Sequence, residues 1–266
     1  MPLSDMENCA IGIICGVSDT TLLQSTNYYK TASQAKLPFT LSPQTLYRGY
    51  TVNTISNAFG VMSQFFLNGV VTKLITGGSQ RPLDNSEKIF AGVSAGALSS
   101  LIGGPLELVM VQQQTKGGSL IATAGSVFSE GSKTIFRGTS GMMMREGIYC
   151  GGYLGVLPVL RDEVQRRYPG LTTDQARLCA TFIAGPICSF SSHPPDTLKT
   201  VLQGDIERVR YFSYSQAAKT IIVERGTAAL WAGLPWRVLR QFIAVFLFDK
   251  IRSDFAPLIF PHAFID

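Results

Sequence analysis

Long stretches of the chain are apolar and carry no charged side chain. They cover residues 50–72, 89–106, 147–160 and 178–195. A helix needs about 20 predominantly apolar residues to cross the hydrocarbon core of a bilayer. Buried helices of a soluble protein are the alternative, but such helices usually keep one polar face. The pattern therefore favours a membrane protein whose chain crosses the bilayer several times.

Small and polar residues occur inside these apolar stretches, as in the run Tyr50-Thr-Val-Asn-Thr-Ile-Ser-Asn57. Such residues in membrane spans are typical of close helix packing or of a water-filled interior. The run Gly92-Val-Ser94-Ala-Gly96 matches the Gly-x-Ser-x-Gly nucleophile elbow, but that motif needs a strand before it and a partner histidine. Here the motif lies inside an uncharged helix, so its small residues indicate helix packing and no enzymatic activity.

Basic residues are concentrated between the apolar stretches and contribute to a net charge of +5. They include Lys30, Lys36, Arg48, Lys116, Lys133, Arg137, Arg208, Arg210 and Lys219. Cations in loops set the orientation of membrane spans. No compact stripe of Lys and Arg with aromatic residues predicts nucleic-acid binding. The five cysteines lack the spacing of metal ligands, and the first residues lack the pattern of a signal peptide.

A short polar frame recurs along the chain. Its fullest copy is Pro194-Pro-Asp196-Thr-Leu-Lys199-Thr-Val-Leu-Gln203. A second copy runs from Pro105 to Gln114, and a weaker one from Val17 to Thr26. The copies begin 88 and 89 residues apart. A fixed period of this length is typical of tandem structural repeats.

A second element follows each copy and ends in glycine. The glycines are Gly49, Gly138 and Gly233, separated by 89 and 95 residues. Two elements that recur in the same order predict a repeat made of a helix, a basic connector with a short surface helix, and a second helix. The predicted long helices cover residues 5–26, 50–74, 86–115, 139–166, 173–204 and 234–253. Together they form one domain, 1–266, with repeats of about 1–78, 79–169 and 170–266.

The frame Pro-x-Asp/Glu-x-x-Lys/Arg, followed by an aromatic residue, one further residue and glycine, resembles the signature of the mitochondrial carrier family. The resemblance implies an all-α membrane protein with six transmembrane helices in three tandem two-helix repeats, arranged as a barrel around a central cavity. It also implies the mitochondrial inner membrane, with both termini toward the intermembrane space. By resemblance, proline kinks the odd-numbered helices and draws their ends together toward the matrix.

By the same resemblance, the charged residues of the three frames pair into a gate on the matrix side. The predicted matrix gate comprises Asp19, Glu107, Asp196, Lys199, Gln114 and Gln203. Leu22 and Met110 stand where the first two frames should supply a base, and Thr26 stands where the first should supply a glutamine. Three carboxylates would then face one ammonium group. Unpaired carboxylates in a low-dielectric setting are costly, so they must be hydrated, protonated or matched by another group.

The opposite, cytoplasmic gate is predicted from residues near the ends of the even-numbered helices. It comprises Arg161, Asp249 and Arg252. The fourth helix keeps the base of the family pattern at Arg161 but lacks the acid, and Asn68 and Gly69 stand where the second helix should supply an acid. This gate is therefore predicted to be weaker than the family pattern.

Substrate contacts in the family lie about two turns into the even-numbered helices. The resemblance assigns this role to Ser56, Arg145, Glu146 and Arg240. An adjacent arginine and acid on the fourth helix suggest a substrate of the amino-acid type, whose carboxylate and ammonium the pair could match. Charge inside a membrane is expensive, which favours a functional role. Arg145 and Glu146 in an interhelical polar network are the alternative.

Anionic lipid is the expected bound ligand apart from substrate. Backbone N–H groups at helix starts bind phosphate through geometry and dipole. The predicted lipid contacts are Arg48, Gly49, Arg137, Gly138 and Gly233, and the resemblance implies cardiolipin. The alternative is that each glycine only permits a tight turn. No metal site and no other cofactor are expected.

Two functions remain open at the level of sequence. The first is transport of a small metabolite, of the amino-acid or carboxylate class, by alternating access. The second is a transport-inactive protein with the carrier fold, acting as a structural or accessory subunit of a larger inner-membrane complex. The missing gate bases favour the second, whereas the retained matrix-side acids favour the first.

Overall fold

The computed structural model describes residues 5–79, 81–251 and 256–261; within these ranges the side chains of 5–12, 15, 61, 65, 244–250 and 256–257 are not described. The described residues form α-helices joined by short connectors, with one π-helical and one 3₁₀ stretch. The helices are α1 (Asp5–Ala35), α2 (Pro43–Leu46), α3 (Tyr50–Thr76), α4 (Asn85–Lys116), α5 (Leu120–Ser129), α6 (Ser132–Ile135), α7 (Thr139–Cys150), α8 (Leu157–Arg167), α9 (Thr173–Gly204), α10 (Tyr214–Arg225), α11 (Leu234–Lys250) and α12 (Ala256–Ile259).

Polar residues at the helix starts explain where several helices begin. Thr172 and Gln175 form a capping box at the start of α9: the Thr172 hydroxyl accepts the Gln175 N–H at 3.3 Å, and the Gln175 side chain accepts the Thr172 N–H at 2.9 Å. Ser119 and Ser213 cap the surface helices α5 and α10 through their side chains. Each cap satisfies an N–H group that the helix leaves without a partner.

The first helix is longer than predicted. The sequence predicted its end at residue 26, whereas α1 continues to Ala35. Lys30 therefore lies inside a long helix instead of in a basic connector. The connector from α1 to α3 is correspondingly short, covering 36–49, while the equivalent connectors cover 117–138 and 205–233.

The fourth long helical segment is not a uniform α-helix. It runs through α7, a π-helical stretch (Gly151–Val156) and α8. Glycines in this segment lie against α4: a Cβ added to Gly151 would fall 2.5 Å from the Val93 side chain, and one added to Gly155 would fall 2.5 Å from the Ile89 Cα. The absence of side chains lets the two backbones approach closely.

The Gly92–Gly96 stretch of α4 packs against the same segment. A Cβ added to Gly92 would lie 2.9 Å from the Cys150 carbonyl oxygen, and one added to Gly96 would lie 2.2 Å from the Glu146 carbonyl oxygen. These contacts confirm the prediction that the Gly-x-Ser-x-Gly match serves helix packing.

Gly96→Ala is expected to destabilise the protein, because the new methyl group must displace the backbone at Glu146. Overpacking of this kind costs about 1–3 kcal/mol. Gly60→Ala is the matched control, since a Cβ at Gly60 meets no atom within 4 Å among the described residues. Thermal unfolding of the purified protein in detergent should show a lower midpoint for Gly96→Ala only. Equal midpoints for both variants would contradict this packing.

Glycines in left-handed backbone conformation precede α3, α7 and α11. Their φ angles are +76° at Gly49, +77° at Gly138 and +85° at Gly233. L-residues with a side chain rarely adopt this conformation. Each glycine lies against a different long helix, so that the start of α3 contacts α4, the start of α7 contacts α9 and the start of α11 contacts α1. The contact of α11 with α1 brings the last long helix back to the first.

By length and composition, two helical stretches of the described chain could cross a membrane. They are Pro43–Thr76 and Asn85–Lys116.

Candidate functional site

The three glycines define equivalent positions on α1, α4 and α9. A Cβ added to Gly49 would lie 3.3 Å from the Met110 carbonyl oxygen, and one added to Gly138 would lie 3.2 Å from the Lys199 carbonyl oxygen. The corresponding contact of Gly233 is the carbonyl oxygen of Lys30, at 2.8 Å. Lys30, Met110 and Lys199 therefore occupy the same place in the three helix pairs.

This equivalence shows that the predicted first frame is wrong. The frame Val17–Thr26 put Leu22 in the basic position, but the Leu22 side chain is 61% exposed. The structural equivalent of Lys199 is Lys30, eight residues further along α1. The error arose because a constant period was assumed, whereas the connector after α1 is shorter than the other two. In the corrected frame, Ser25 takes the proline position, Asn27 the acidic position and Gln34 the glutamine position.

Charged side chains from four of the long helical segments meet between the helices. We call this group the central charge cluster; it comprises Lys30, Glu107, Arg145, Asp196 and Lys199. The Lys30 Nζ lies 3.0 Å from Asp196 Oδ2, and the Lys199 Nζ lies 3.3 Å from Asp196 Oδ1. Lys199 also forms an ion pair with Glu107.

Arg145 joins the two carboxylates of the cluster. Its Nη2 donates to Glu107 Oε2 at 3.2 Å, and its Nη1 donates to Asp196 Oδ1 at 3.4 Å. Gln34 adds a hydrogen bond from its Nε2 to Asp196 Oδ2 at 3.1 Å. Buried carboxylates are tolerated only when cations and hydrogen bonds compensate them. Within the cluster both are compensated, so the predicted excess of negative charge is absent from this part of the described structure.

The remaining acid–base position of the three frames, between α1 and α4, is neutral. Asn27 on α1 faces Met110 on α4, with 3.8 Å between the Asn27 Nδ2 and the Met110 Sδ. Both residues are buried. The acid and the base are thus replaced together, which leaves no unpaired charge at this position.

Asp19 was predicted to belong with Glu107, Asp196 and Lys199, and the structure places it elsewhere. It is 11 residues before Lys30, which at 1.5 Å per residue is about 16 Å along the helix. Asp19 forms an ion pair with Arg240 of α11 through its Oδ2 atom. The structure therefore brings together one residue from the predicted matrix gate and one from the predicted substrate site.

The other predicted substrate residues lie in two places. Arg145 is part of the central charge cluster and also pairs with Glu146. Glu146 accepts a hydrogen bond from the Gln64 Nε2 at 3.3 Å, and Gln64 in turn accepts from the Tyr153 hydroxyl at 2.7 Å. Ser56 is half-buried on α3, in the turn that also carries Asn57, whose Nδ2 donates to Thr20 on α1 at 3.0 Å.

The two glutamines of the predicted matrix gate, Gln114 and Gln203, lie next to the cluster and are fully buried. The Gln203 Nε2 donates weakly to the Gly104 carbonyl at 3.5 Å. Both amide atoms of Gln114 lack a hydrogen-bond partner among the described residues. Gln34, which the sequence analysis missed, is the glutamine that contacts an ion pair directly.

The predicted cytoplasmic gate is described only at Arg161. Its guanidinium donates to the neighbouring Asp162, with 2.6 Å from Nη2 and 2.9 Å from Nε to Oδ1. Arg252 and the side chain of Asp249 lie outside the described residues. An acid is thus present beside Arg161, directly after it in the chain and four residues after Pro158, where the family pattern has its acid.

Arg137 was predicted to contact lipid, but its guanidinium is buried and serves the protein itself. Its Nε donates to the Leu202 carbonyl at 2.7 Å, and its Nη2 donates to the Tyr211 carbonyl. It therefore caps the carboxyl end of α9, where a cation is favourable. Arg48 lies similarly against Gly117 after α4, and Arg225 donates to the Gln34 carbonyl of α1 at 3.2 Å.

Asp205 fixes the connector that follows α9. Its carboxylate accepts the N–H groups of Val209, Arg210 and Tyr211 at 3.0, 2.9 and 2.7 Å. Partial burial alone would raise its pKa, but these hydrogen bonds and Arg137 hold the pKa of Asp205 below its usual value. The connector is therefore tied to the end of α9 at neutral pH.

A polar cavity of about 390 Å³ lies at the carboxyl ends of α1, α4 and α9. Its charged lining residues are Lys36, Lys116, Asp205, Glu207, Arg210 and Arg225. The central charge cluster lies further inside, about one and a half to two and a half turns before these helix ends. The cluster is thus in position to separate this cavity from the space between the other ends of the helices.

Arg237 is a further charged residue next to the central charge cluster. It lies one turn before Arg240 on α11, with its Nη1 4.0 Å from Asp196 Oδ2 and its guanidinium over the Tyr149 ring at 5.8 Å. It is three residues before Arg240, a spacing that places both side chains on one face of α11 and that is visible in the sequence. Lys30 could not be recognised as a member of the site, because the first helix was predicted to end before it.

Known proteins similar to this chain are mitochondrial carriers. A family model for mitochondrial carrier protein matches residues 81–168 and 173–252. Mitochondrial tricarboxylate transporter 1 of Mycosarcoma maydis is 27% identical over 216 residues, which cover 76% of this chain and 71% of the relative. A probable mitochondrial 2-oxodicarboxylate carrier of Dictyostelium discoideum is 26% identical over 257 residues, covering 88% and 84%.

A mitochondrial arginine transporter of Arabidopsis thaliana is 26% identical over 213 residues, which cover 76% of this chain and 70% of the relative. The two family matches together span well over half of the chain, and they include α4, α7, α8, α9 and α11. The chain therefore belongs to the mitochondrial carrier family, whose members are transporters and not enzymes.

Proposed function

We propose that this protein transports a small solute carrying at least one carboxylate across the mitochondrial inner membrane by alternating access. Six transmembrane helices in three tandem repeats would form the path, as one domain with both termini toward the intermembrane space. The central charge cluster would close the matrix side, and Arg161, Asp249 and Arg252 would contribute to closing the opposite side.

The charge of the interior is the observation that carries this proposal. Among the described residues between the long helices, five basic side chains face four carboxylates, which leaves one net positive charge. The basic residues are Lys30, Arg145, Lys199, Arg237 and Arg240, and the acidic residues are Asp19, Glu107, Glu146 and Asp196. A buried surplus cation favours an anionic ligand.

Unused hydrogen-bond donors point to the same chemistry. Arg145 Nε and Arg237 Nη1 are buried without a hydrogen-bond partner among the described residues. Arginine recognises carboxylates through such planar N–H groups. The three relatives are named for tricarboxylate, 2-oxodicarboxylate and arginine, and all of these solutes carry a carboxylate.

The alternative of a transport-inactive subunit loses its main support. It was based on the missing gate bases, and Lys30 supplies one of them while the Asn27–Met110 position needs none. We also propose cardiolipin at the starts of α3, α7 and α11, held by backbone N–H groups near Gly49, Gly138 and Gly233, with Arg48 in reach and Arg137 engaged within the protein.

Uptake into proteoliposomes tests the proposal. The protein is reconstituted with cardiolipin, and radiolabelled citrate, a 2-oxodicarboxylate, arginine and glycine are offered, together with matched amines that lack a carboxylate. We expect uptake of at least one carboxylate solute and at least a tenfold loss in Arg145→Ala, since one lost charge-assisted interaction of about 1.4 kcal/mol corresponds to tenfold.

Arg166→Ala is the matched control, because the Arg166 side chain is 79% exposed at the end of α8. It should retain uptake. Failure of the wild-type protein to take up any of these solutes, together with stable copurification in a larger membrane complex, would contradict transport and favour the accessory-subunit function.

A further inference from the structure

The polar cavity at the carboxyl ends of α1, α4 and α9 has an uneven distribution of charge. Its volume of about 390 Å³ lies in the range of small-molecule sites. Beside α4 and α9 its charged residues have partners: the Lys116 Nζ lies 2.6 Å from Glu207 Oε1, and Arg210 pairs with Glu224. The carboxylate that ties down the connector after α9 is matched by Arg137. The charges on this side of the cavity are therefore balanced.

The end of α1 lacks such a balance. Lys36 directly follows α1, is exposed, and forms no ion pair with the described residues. Arg225 of α10 donates to the carbonyl oxygens of Gln34 and Ser33 at 3.2 and 3.5 Å, which fixes its guanidinium near Lys36, and it has no carboxylate partner among the described residues. The connector 36–49 contains no acidic residue that could supply one. Two cations therefore line the cavity without a counter-charge.

The backbone at Lys36 adopts a conformation that favours glycine. Its φ angle is +58°, whereas the residue that follows α4 is Gly117, with a φ angle of +79°. The helix α1 thus ends in a charged side chain at a position where glycine would fit with less strain. An ammonium group beside a guanidinium that the protein already holds in place can bind a carboxylate or a phosphate group.

The cavity depends on the closed arrangement of the long helices. Its walls include Ala35, Thr115 and Gly204, which lie at the ends of α1, α4 and α9. The central charge cluster holds these helices together further inside. Opening the matrix side would move the helix ends apart, and the walls of the cavity with them. A ligand that binds the closed arrangement better than the open one shifts the population toward the closed arrangement.

We propose that Lys36 and Arg225 bind a small dianion, either phosphate or a dicarboxylate, and that this anion holds the matrix side closed. The site lies on the matrix side of the central charge cluster, so the anion slows transport without occupying the space between the other ends of the long helices. The effect on transport rests on the proposed alternating access, whereas the binding of the anion does not depend on it.

Thermal unfolding in detergent tests the binding site. Inorganic phosphate and succinate are titrated separately, with chloride adjusted to keep the ionic strength constant, since screening alone changes the strength of exposed charge pairs. A ligand of the folded state raises the unfolding midpoint as its concentration rises. We expect this stabilisation with at least one of the two anions, and the anion that acts at lower concentration is the preferred one. Lys36→Gln should need about fivefold more of that anion for the same shift.

Two further variants separate this site from a general effect of charge. Lys219→Gln is the matched control, because Lys219 is exposed on α10 and does not line the cavity; it should respond like the wild-type protein. Glu207→Gln removes the partner of Lys116 and adds a free cation to the cavity, so it should need less of the anion than the wild-type protein.

Uptake into proteoliposomes tests the effect on transport. The preferred anion is added to either face in turn. On the matrix-facing side it should lower the maximal uptake rate about threefold or more while leaving the solute concentration for half-maximal uptake unchanged. Lys36→Gln should weaken this inhibition, and Lys219→Gln should not.

No stabilisation by either anion at constant ionic strength, or an equal response of the wild-type protein and Lys36→Gln, would overturn the binding site whatever the uptake assay shows. Stabilisation without slower uptake would overturn the closing role of the anion. Failure of the wild-type protein to take up any carboxylate solute would contradict the proposed function, while the thermal titration would still decide whether the anion binds at Lys36.

Discussion

Asp196→Asn is expected to lower the stability of this protein more than any other single change at the site. The Asp196 side chain is completely buried and lies next to Lys30, Lys199, Arg145 and Arg237. Removing its charge leaves these cations without their shared counter-charge. Breaking a buried ion pair in this way costs about 3–5 kcal/mol. For a chain of this size, the unfolding midpoint should fall by about 10 °C.

The measurement is thermal unfolding of the purified protein in detergent, with Asp174→Asn as the matched control. Asp174 is exposed and pairs with Arg177 one turn away, so its loss should cost less than about 1 kcal/mol. Similar midpoints for the two variants would mean that Asp196 does not balance the cluster. Asp196→Asn should also lose uptake, because the long helices would no longer be drawn together at their carboxyl ends.

Restoring a charged pair at the neutral position is expected to stabilise the closed cluster and slow transport. In the double variant Asn27→Glu with Met110→Arg, the new side chains replace a 3.8 Å contact between an amide nitrogen and a sulfur atom by an ion pair. Each single variant buries an uncompensated charge and should unfold at lower temperature. The double variant should regain at least the stability that the single variants lose, with a coupling free energy of about 1–3 kcal/mol.

Under the proposed alternating-access transport, the same pair would separate each time the matrix side opens. An additional opening cost of about 1.4 kcal/mol would reduce the uptake rate about tenfold. We therefore expect the double variant to be more stable than both single variants and slower than the wild-type protein. Asn27→Gln with Met110→Leu is the neutral control and should leave uptake near the wild-type rate. Additive effects of the two charged substitutions would show that Asn27 and Met110 do not face each other.

Helix positions in the second and third repeats could be predicted well from sequence. The predicted spans 86–115 and 173–204 correspond to α4 (Asn85–Lys116) and α9 (Thr173–Gly204). Both helices have acidic or hydroxyl residues at the start and a glycine at or near the end, which are strong local signals. Local signals suffice here because they act within one or two turns.

The first frame could not be placed because its local signals are weak. Ser25 and Asn27 replace the proline and the acid, so only Lys30 and Gln34 retain the pattern. These two residues are four apart, as are Lys199 and Gln203. That spacing alone is too common to identify a frame. The length of the connector, which moved the frame by eight residues, depends on how α1 and α3 meet in space.

Contacts between distant parts of the chain were also beyond sequence reasoning. Asp19 and Arg240 are separated by 221 residues and meet because α11 packs against α1. Arg145 reaches Glu107 and Asp196 because α7 lies beside both α4 and α9. Arg137 looks like a surface cation in the sequence, yet its guanidinium caps α9. The identity of a charged residue indicates its chemistry, whereas its partner depends on helix packing.

The most direct test of the corrected first frame compares two double-mutant cycles by thermal unfolding. One cycle combines Lys30→Gln with Asp196→Asn, and the other combines Asp19→Asn with Lys199→Gln. Because Lys30 and Asp196 are in contact, we expect a coupling free energy of about 2 kcal/mol in the first cycle. Asp19 and Lys199 lie far apart, so the second cycle should be additive within about 0.5 kcal/mol. Strong coupling between Asp19 and Lys199, with none between Lys30 and Asp196, would contradict the placement of Lys30 in the charge cluster.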